Sequence, residues 1–334
     1  MDNNEKKYRK FGLVREMLEV PSILKNFSAE SLENPIAAIK KAKRLFLTGE
    51  GSSRIFPSKN MIYASLIKQC DIAVHSGGAR QAAEFSLKGF VLLGASNSGR
   101  TKEVISLFKK NRHCQKFALT GNRNNPLNKF SDQTFILNCG EEKAVSATKS
   151  VIEEALFCHN LLLNLNGKSI SKHSLDELSK KSSKVLTMKI EDKIIKKLSK
   201  SRILYFAGRN NGVAEEAALK ANEITRKKSF YLEGTYAVHG VEEAMSRNEA
   251  VIIIDPFREE EKKFNEVLFK GVGMYVAAIS SRKTIFPTIR IPSMKGFDSY
   301  LQLLMCWNLL VEIGIRLGIN LDRPKRARKI GNEI

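Results

Sequence analysis

The sequence of 334 residues has few of the features that assign a chain to a class at first sight. No apolar run approaches the roughly 20 residues of a membrane span, and the N-terminal stretch MDNNEKKYRKFG lacks the apolar core of a secretory signal. The five cysteines are odd in number and include no C-x-x-C pair, which argues against a disulfide framework and against zinc. We therefore expect a protein of the reducing cytoplasm, with no metal and no membrane partner.

Nucleotide-binding motifs are missing as well. The sequence contains no G-x-x-x-x-G-K-[ST] and no clean G-x-G-x-x-G, so we expect neither triphosphate hydrolysis nor a dinucleotide, and no cofactor. The net charge of +21 invites a nucleic-acid partner, but the basic clusters at 38–44, 179–203 and 323–329 lack interleaved aromatic residues and known nucleic-acid motifs. We assign the charge to the general surface and to the attraction of small anionic substrates, and expect no nucleic acid.

Short apolar runs alternate with segments of helical periodicity along both halves of the chain. The runs are 45–48, 72–75, 90–94, 117–121, 134–138, 203–208, 230–234, 250–255, 275–280 and 289–292. Helices are predicted for 54–69, 101–111, 143–165, 212–227 and 297–318, and a helix near the N-terminus is expected to break at Pro21. The alternation predicts parallel strands with crossover helices, in two copies of one α/β plan.

Two hydroxyl-rich loops in the first half follow predicted strands. The segment Ser96–Thr101 joins a strand to a helix, where free backbone N–H groups favour an anion and Gly99 permits a tight turn. An ordinary turn with Ser and Thr caps is the alternative. Gly51–Ser53 follows another strand, and both loops are expected at the carboxyl edge of a parallel sheet, where ligands bind. The second half has the acidic segment 255–260 instead, so one phosphate site is expected, in the first half.

The second half carries charged residues at helical spacing. Glu216, Lys220 and Glu223 fall on one helix face, which we expect near the carboxyl edge of the second sheet. A solvated face with an ordinary ion pair is the alternative. His239 lies beside a glycine in a predicted loop. A carboxylate and a histidine near a phosphate site suit an aldose–ketose isomerase, which opens a sugar ring and moves a proton between C1 and C2.

At this point the chain resembles a known family. SNSGRT, the motif E-x-x-x-K-x-x-E at 216–223, the histidine sixteen residues after it, and DRPKRARK near the C-terminus are similar to the sugar isomerase (SIS) family. The resemblance covers about residues 15–334 and is to the two-SIS isomerase portion of glucosamine-6-phosphate synthase and its stand-alone relatives, the glucosamine-6-phosphate deaminases and fructosamine deglycases. It implies two tandem SIS domains, each a flavodoxin-like three-layer α/β/α sandwich with a parallel sheet.

The resemblance also implies a domain division. The expected parts are an N-terminal helical segment (1–35), SIS domain 1 for the sugar phosphate (36–166), a linking helical segment (167–200), SIS domain 2 with the acid and base residues (201–320), and a C-terminal tail (321–334).

Roles for individual residues follow from the same resemblance. The sugar phosphate is held by Ser53, Ser96, Asn97, Ser98 and Thr101. Val145 and Ala147 match positions that line the sugar pocket. Glu223 is the base that shuttles the proton, with Glu216 and Lys220 in support.

Ring opening is assigned to two further residues. His239 assists and comes, in the family, from the neighbouring subunit, so a homodimer with shared active sites is implied. Lys329 matches the family's Schiff-base lysine, which attacks the ketose carbonyl; a basic tail residue is the alternative.

Several positions depart from the family pattern. V-A-S-T-K becomes VSATK at 145–149, with the Ser and Ala exchanged. Asn97 replaces Gln, Arg100 replaces Glu, Tyr236 replaces Glu, and Arg328 replaces a small residue. These departures imply a pocket tuned to a different sugar.

The leading hypothesis is an amino-sugar phosphate deaminase/isomerase that interconverts glucosamine 6-phosphate with fructose 6-phosphate and ammonia. About 40 residues precede the first predicted strand, so we expect no glutaminase domain of its own. A fructosamine-6-phosphate deglycase, a plain isomerase and, in another class, a non-catalytic sugar-phosphate sensor are the alternatives. The retained charged residues favour catalysis over the sensor.

Overall fold

The computed structural model describes residues 1–2 and 4–326, and ten strands among them form two parallel five-stranded sheets. The first sheet contains β1 (Arg44–Gly49), β2 (Ala73–Gly78), β3 (Val91–Ala95), β4 (Lys116–Thr120) and β5 (Gln133–Ile136). The second contains β6 (Ile203–Gly208), β7 (Lys228–Glu233), β8 (Ala250–Ile254), β9 (Tyr275–Ser280) and β10 (Thr288–Arg290). The predicted α/β fold with two parallel sheets is confirmed.

Helices connect these strands. They are α1 (Lys6–Arg9), α2 (Gly12–Lys25), α3 (Glu33–Ala42), α4 (Ser52–Ile67), α5 (Ala79–Ala82), α6 (Lys102–Lys110), α7 (Lys149–Leu165), α8 (Lys172–Thr187), α9 (Asp192–Lys200), α10 (Val213–Lys220), α11 (Glu261–Phe264) and α12 (Asp298–Arg316). Shorter 3₁₀ turns span Pro126–Phe130, Tyr236–Val238, Val241–Ala244 and Arg258–Glu260, and π-helical turns span Ala221–Thr225 and Asn265–Gly271. None of the helices described in 1–2 and 4–326 is both long and apolar enough to cross a membrane.

Two helices differ from the sequence-based expectation. The N-terminal helix does not break at Pro21 but continues to Lys25, because its apolar stripe of Leu13, Met17 and Val20 is fully buried and outweighs the lost backbone hydrogen bond. The helix expected over 143–165 begins only at Lys149, since the preceding residues form a loop whose buried Glu142 carboxylate accepts the N–H groups of Thr148 and Ser150.

The described chain divides into two compact units. The first-sheet unit comprises 22–143 and 147–177, and the second-sheet unit comprises 1–21, 144–146 and 178–326. The core of the first-sheet unit packs α6 onto the sheet through side chains such as Val104, Phe108 and Leu92. The core of the second-sheet unit gathers around Val251, Ile253 and Phe264. Every residue of β3, β4 and β8 is buried, and because successive side chains point to opposite faces, both faces of each sheet are covered at these strands.

Both sheets have the same topology. The first has the strand order β2-β1-β3-β4-β5, and the second has the order β7-β6-β8-β9-β10 when read from its other edge. In each sheet the winding direction reverses next to the first strand, between β1 and β3 and between β6 and β8. Open α/β sheets bind ligands at this switch point, outside the carboxyl ends of the two strands.

Candidate functional site

The switch point of the first sheet is formed by the two hydroxyl-rich loops. β1 and β3 are hydrogen-bonded neighbours with Thr48 opposite Gly94, so both strands end side by side. A Cβ atom at Gly49 would lie 3.0 Å from the Ala95 carbonyl oxygen and 3.2 Å from that of Ser53. The backbones of β1, β3 and the first turn of α4 therefore converge, as the sequence analysis expected.

Backbone donors are available at this point. The N–H groups of Ser53, Asn97 and Ser98 have no hydrogen-bond acceptor among the residues that the structure describes. All three residues are only half-buried, so a ligand can reach them. Because α4 and α6 both begin here, their N-terminal dipoles add to the attraction for an anion.

The hydroxyls of the second loop form a short network. Ser96 Oγ lies 2.7 Å from Thr101 Oγ1 and also accepts the Thr101 N–H at 3.4 Å. Ser98 Oγ accepts the N–H of Arg100 at 3.2 Å. Ser96 is 2% exposed and fixes the ends of the loop, whereas Ser98 and Thr101 are half-buried.

Asn97 has a different environment from the one the resemblance implies. Its side-chain Nδ2 donates to Glu142 Oε2 at 3.4 Å, and its carbonyl oxygen accepts the Gly121 N–H at 3.0 Å. Burial raises the pKa of the Cys139 thiol, which stays protonated and donates to Asn97 Oδ1 at 3.9 Å. The side chain of Asn97 is thus engaged inside the unit, and its backbone N–H is the group left for a ligand.

Gly99 allows the loop to turn beneath these donors. Its φ of +66° is left-handed, and a Cβ atom there would lie 2.4 Å from the Asn125 side chain. Its carbonyl oxygen accepts the Leu127 N–H at 3.2 Å, so the 3₁₀ turn after β4 supports the loop from below. Sequence reasoning identified the need for glycine but not this support.

Sequence reasoning missed Arg54. It lies one residue after Ser53 in the first turn of α4, on the same helix face as the buried residues Ser58 and Met61. Its Nε is enclosed and has no hydrogen-bond partner in the described part of the chain. Side chains of a helix lean towards its N-terminus, which here is the switch point. The Ser-Ser-Arg sequence directly after a strand was the available signal.

Val145 and Ala147 lie in the loop before α7 and are half-buried. They fall in different units, Val145 with the second sheet and Ala147 with the first.

The switch point of the second sheet is occupied by the protein itself. Arg209, directly after β6, forms an ion pair of 2.8 Å with Asp255 Oδ2, directly after β8. Its guanidinium also lies 4.3 Å from the ring centroid of Phe257. This arrangement agrees with the expectation of one phosphate site in the first half, which stays a prediction.

The charged face in the second-sheet unit is assembled as expected. Lys220 Nζ lies 3.4 Å from Glu216 Oε1 and 2.8 Å from Glu223 Oε2. The side chains of Glu216 and Lys220 are fully buried, and that of Glu223 is 26% exposed. Glu223 belongs to the π-helical turn Ala221–Thr225. Such turns are rare in proteins overall, and those that occur are often found at functional sites.

The expected position of this face is wrong for Glu223. A helix between parallel strands runs against them, and Glu223 lies seven residues beyond Glu216, about 10 Å further along the axis. Its neighbour Asn222 donates to the carbonyl of Ser229, at the start of β7. Only Glu216 is near the carboxyl edge of the sheet, and Glu223 lies towards the amino edge.

His239 is the one remaining predicted residue that the structure describes, and it is not brought to this face. His239 is exposed, follows the 3₁₀ turn Tyr236–Val238, and has its Nε2 3.4 Å from Lys263 Nζ. No described contact joins it to Glu216, Lys220 or Glu223. Lys329, like Arg328, lies outside the described residues.

Comparisons with known proteins agree with this fold. Residues 38–164 match the family model of the SIS domain. A search of curated proteins found no match. The C-terminal domain of glucosamine-fructose-6-phosphate aminotransferase from Francisella tularensis is 18% identical, with a TM-score of 0.80 over 96% of this chain and 100% of that one.

Two further solved structures are similar over nearly their full length. Glucosamine-6-phosphate deaminase from Thermotoga maritima is 19% identical, with a TM-score of 0.75 over 97% of this chain and 99% of that one. Tagatose-6-phosphate ketose/aldose isomerase from Escherichia coli is 17% identical, with a TM-score of 0.76 over 97% and 99%. The chain thus has the α/β fold with two parallel sheets of these proteins, and its residues 38–164 are similar to the SIS domain.

Proposed function

We propose that this chain is an enzyme that converts glucosamine 6-phosphate and water to fructose 6-phosphate and ammonia, or catalyses the reverse reaction. The observation that carries the proposal is the group of backbone N–H donors and hydroxyls where β1 and β3 end. The chemistry named in the solved structures of the same fold, from an aminotransferase, a deaminase and an isomerase, supports it. In this proposal SIS domain 1 spans 36–166 and SIS domain 2 spans 201–320.

The phosphate group is held in the first-sheet unit. The N–H groups of Ser53, Asn97 and Ser98 donate to its oxygens, and the hydroxyls of Ser98 and Thr101 are within the same loop. A phosphate dianion also needs positive charge, because hydroxyls and amides alone are neutral. The guanidinium of Arg54, which has no partner in the described chain, supplies it.

The proton transfer is assigned to the second-sheet unit. Glu223 takes the proton from C2 of the open-chain aldose and returns it to C1, which leaves an iminium group at C2. The amine of Lys329 adds to that carbon and ammonia leaves. Water then hydrolyses the resulting lysine imine, which gives fructose 6-phosphate and restores the free lysine. The ion pair with Lys220 at 2.8 Å fixes the carboxylate, and buried Glu216 in turn holds Lys220.

Opening of the sugar ring is assigned to His239 and Lys329. His239 moves a proton between the ring oxygen and the hydroxyl at the anomeric carbon. In the reverse direction, Lys329 adds to the C2 carbonyl of fructose 6-phosphate with loss of water, and ammonia then displaces the lysine. The exposed position of His239 supports a role in the site of a second copy, and hence a homodimer.

The test is release of ammonia from glucosamine 6-phosphate by the purified protein, with fructose 6-phosphate measured in the same tube. Both products are expected, and both should disappear in Lys329→Ala. Glu223→Gln should abolish turnover but keep affinity for fructose 6-phosphate, which separates an enzyme from a sensor. Activity confined to fructosamine 6-phosphates would replace this reaction by deglycation. No turnover together with no protection against heat by any of these sugars would contradict the proposal.

A further inference from the structure

Glu142 is a buried carboxylate that no motif of the sequence marks. It lies in the loop between β5 and α7 and is 3% exposed. Its Oε1 accepts the N–H groups of Thr148 at 2.8 Å and Ser150 at 3.3 Å, and its Oε2 accepts the Ser150 hydroxyl at 2.5 Å. Thr148, the N-cap residue of α7, makes no side-chain cap of its own. Glu142 therefore satisfies the N-terminus of α7 from outside the helix.

The same carboxylate reaches the loop that follows β3. Its Oε2 also accepts Nδ2 of Asn97 at 3.4 Å, across 45 residues of sequence. One buried group thus connects the start of α7 with the loop that carries the N–H groups of Asn97 and Ser98. Because Thr148 directly follows Ala147, the connection also fixes the end of the segment assigned to the sugar pocket.

The position of Asn97 depends on this bond. Asn97 Oδ1 faces the Cys139 thiol and also lies close to Gly121, where a Cβ atom would be 2.3 Å from this oxygen. The side-chain amide of Asn97 therefore has no space to rotate. Its carbonyl oxygen is held by the Gly121 N–H and by Thr120 Oγ1 at 3.1 Å. With the side chain and the carbonyl both fixed, the peptide plane that carries the Ser98 N–H has one orientation.

Glu142 places a carboxylate behind the proposed anion site, which needs a physical reason. A carboxylate behind an anion site repels the anion, and a buried carboxylate is costly unless it is well hydrogen-bonded. The N–H and O–H groups of Thr148, Ser150 and Asn97 provide that compensation. A neutral residue could fill the space without repulsion, so the ability to accept several donors at once is what the carboxylate contributes.

We propose that Glu142 is a positioning residue of the phosphate site: through Asn97 it sets the direction of the N–H groups that bind the phosphate. The proposal rests on the proposed sugar-phosphate function. It does not make Glu142 a catalytic residue, since no described contact of its carboxylate leads to a group that reacts.

The chain offers a matched control for this idea. Glu153 is 1% exposed, lies in α7, and accepts the N–H groups of Asn138 at 2.8 Å and Cys139 at 2.6 Å. It therefore also uses a buried carboxylate to fix the loop between β5 and α7. Its contacts lead to the loop after β3 only indirectly, through Cys139, whose thiol lies 3.9 Å from Asn97 Oδ1, whereas Glu142 contacts Asn97 itself.

The experiment compares Glu142→Gln, Glu153→Gln and the unchanged protein by calorimetric titration with inorganic phosphate and with fructose 6-phosphate. Both variants should lose comparable stability against urea. Glu142→Gln should raise the Kd for both ligands about tenfold or more, because a glutamine amide cannot accept all of these donors, whereas Glu153→Gln should stay within about twofold. In turnover, Glu142→Gln should raise KM about as much as Kd, with kcat changed only a few fold.

Asn97→Ala tests the same connection from the other side and leaves the cap of α7 in place, so it serves even if Glu142→Gln fails to fold. It should raise the Kd for phosphate to a similar degree, and the double variant should bind no more weakly than the weaker single variant. Wild-type affinity in a folded Glu142→Gln or in Asn97→Ala would overturn the positioning role alone. Absence of binding of either ligand to the unchanged protein would instead remove the sugar-phosphate function on which the role rests.

Discussion

Replacing His159 should change how the stability of the first-sheet unit depends on pH. His159 lies in α7 and is 4% exposed. Burial, with a smaller contribution from the charge of Lys68, lowers the pKa of its imidazole from 6.5 to about 4. Between these values the unfolded chain binds a proton that the folded chain does not. Stability therefore falls as the pH drops from about 7 to about 4.

The size of the effect follows from the two pKa values. At pH 5 the unfolded histidine is almost fully protonated and the folded one about one-tenth protonated, which corresponds to a loss of about 2 kcal/mol relative to pH 7.5. This is a large part of the total stability of a typical domain, about 5–15 kcal/mol. Other groups also titrate in this range, so the prediction concerns the difference between variants.

The assay is urea unfolding at pH 7.5 and pH 5.0 for the unchanged protein, His159→Gln and His173→Gln. His173 is an exposed histidine in α8 and serves as the control. His159→Gln should lose about 2 kcal/mol less than the unchanged protein between the two pH values, and His173→Gln should behave like the unchanged protein. An equal pH-dependent loss in His159→Gln would refute the reasoning, because it would mean that His159 is protonated in the folded state as readily as in the unfolded state.

Three further substitutions test the site and its surroundings. Gly99→Ala should destabilise the protein by about 1–2 kcal/mol because of the left-handed backbone, and by more because the new methyl group displaces Asn125. We expect a lower urea midpoint and a higher Kd for phosphate. Unchanged values of both would show that the loop can accommodate a Cβ atom. Arg54→Met should raise the Kd for phosphate about tenfold or more, with partial recovery in Arg54→Lys; equal affinities in all three proteins would rule out a guanidinium contact. Lys220→Met should destabilise the protein by about 3–5 kcal/mol, because Glu216 stays buried without its cation; adding Glu216→Gln should restore part of the urea midpoint, and a further loss would contradict the ion-pair explanation.

Much of the fold could be predicted because buried parallel strands appear in the sequence as short apolar runs. The run at 203–208 coincides with β6, and the run at 275–280 coincides with β9. The same runs placed the two hydroxyl-rich loops directly after β1 and β3, and the parallel topology then brought them together. Local pattern and topology are sufficient for this part of the site.

The rest depends on contacts between distant residues. Asn97 was expected to point at the ligand, but its amide contacts Glu142, 45 positions away, and no local pattern encodes that pairing. The helix through Pro21 persists because tertiary burial outweighs a local preference. The predicted position of Glu223 near the carboxyl edge of the second sheet was wrong for a geometric reason. A crossover helix must return to the amino edge before the next strand begins.

The Arg209–Asp255 ion pair gives the second switch point an anion of its own. Asp255 is covalently tethered beside the guanidinium, so any free phosphate would have to compete with a carboxylate whose effective concentration is on the order of millimolar or higher. The anion position at the switch point of the second sheet is thus filled by a carboxylate of the chain itself. If the equivalent crevice of the first half binds a phosphate as we propose, substitutions there affect ligand binding as well as folding, whereas substitutions at the second crevice affect folding alone. The two copies of one architecture are then under different constraints.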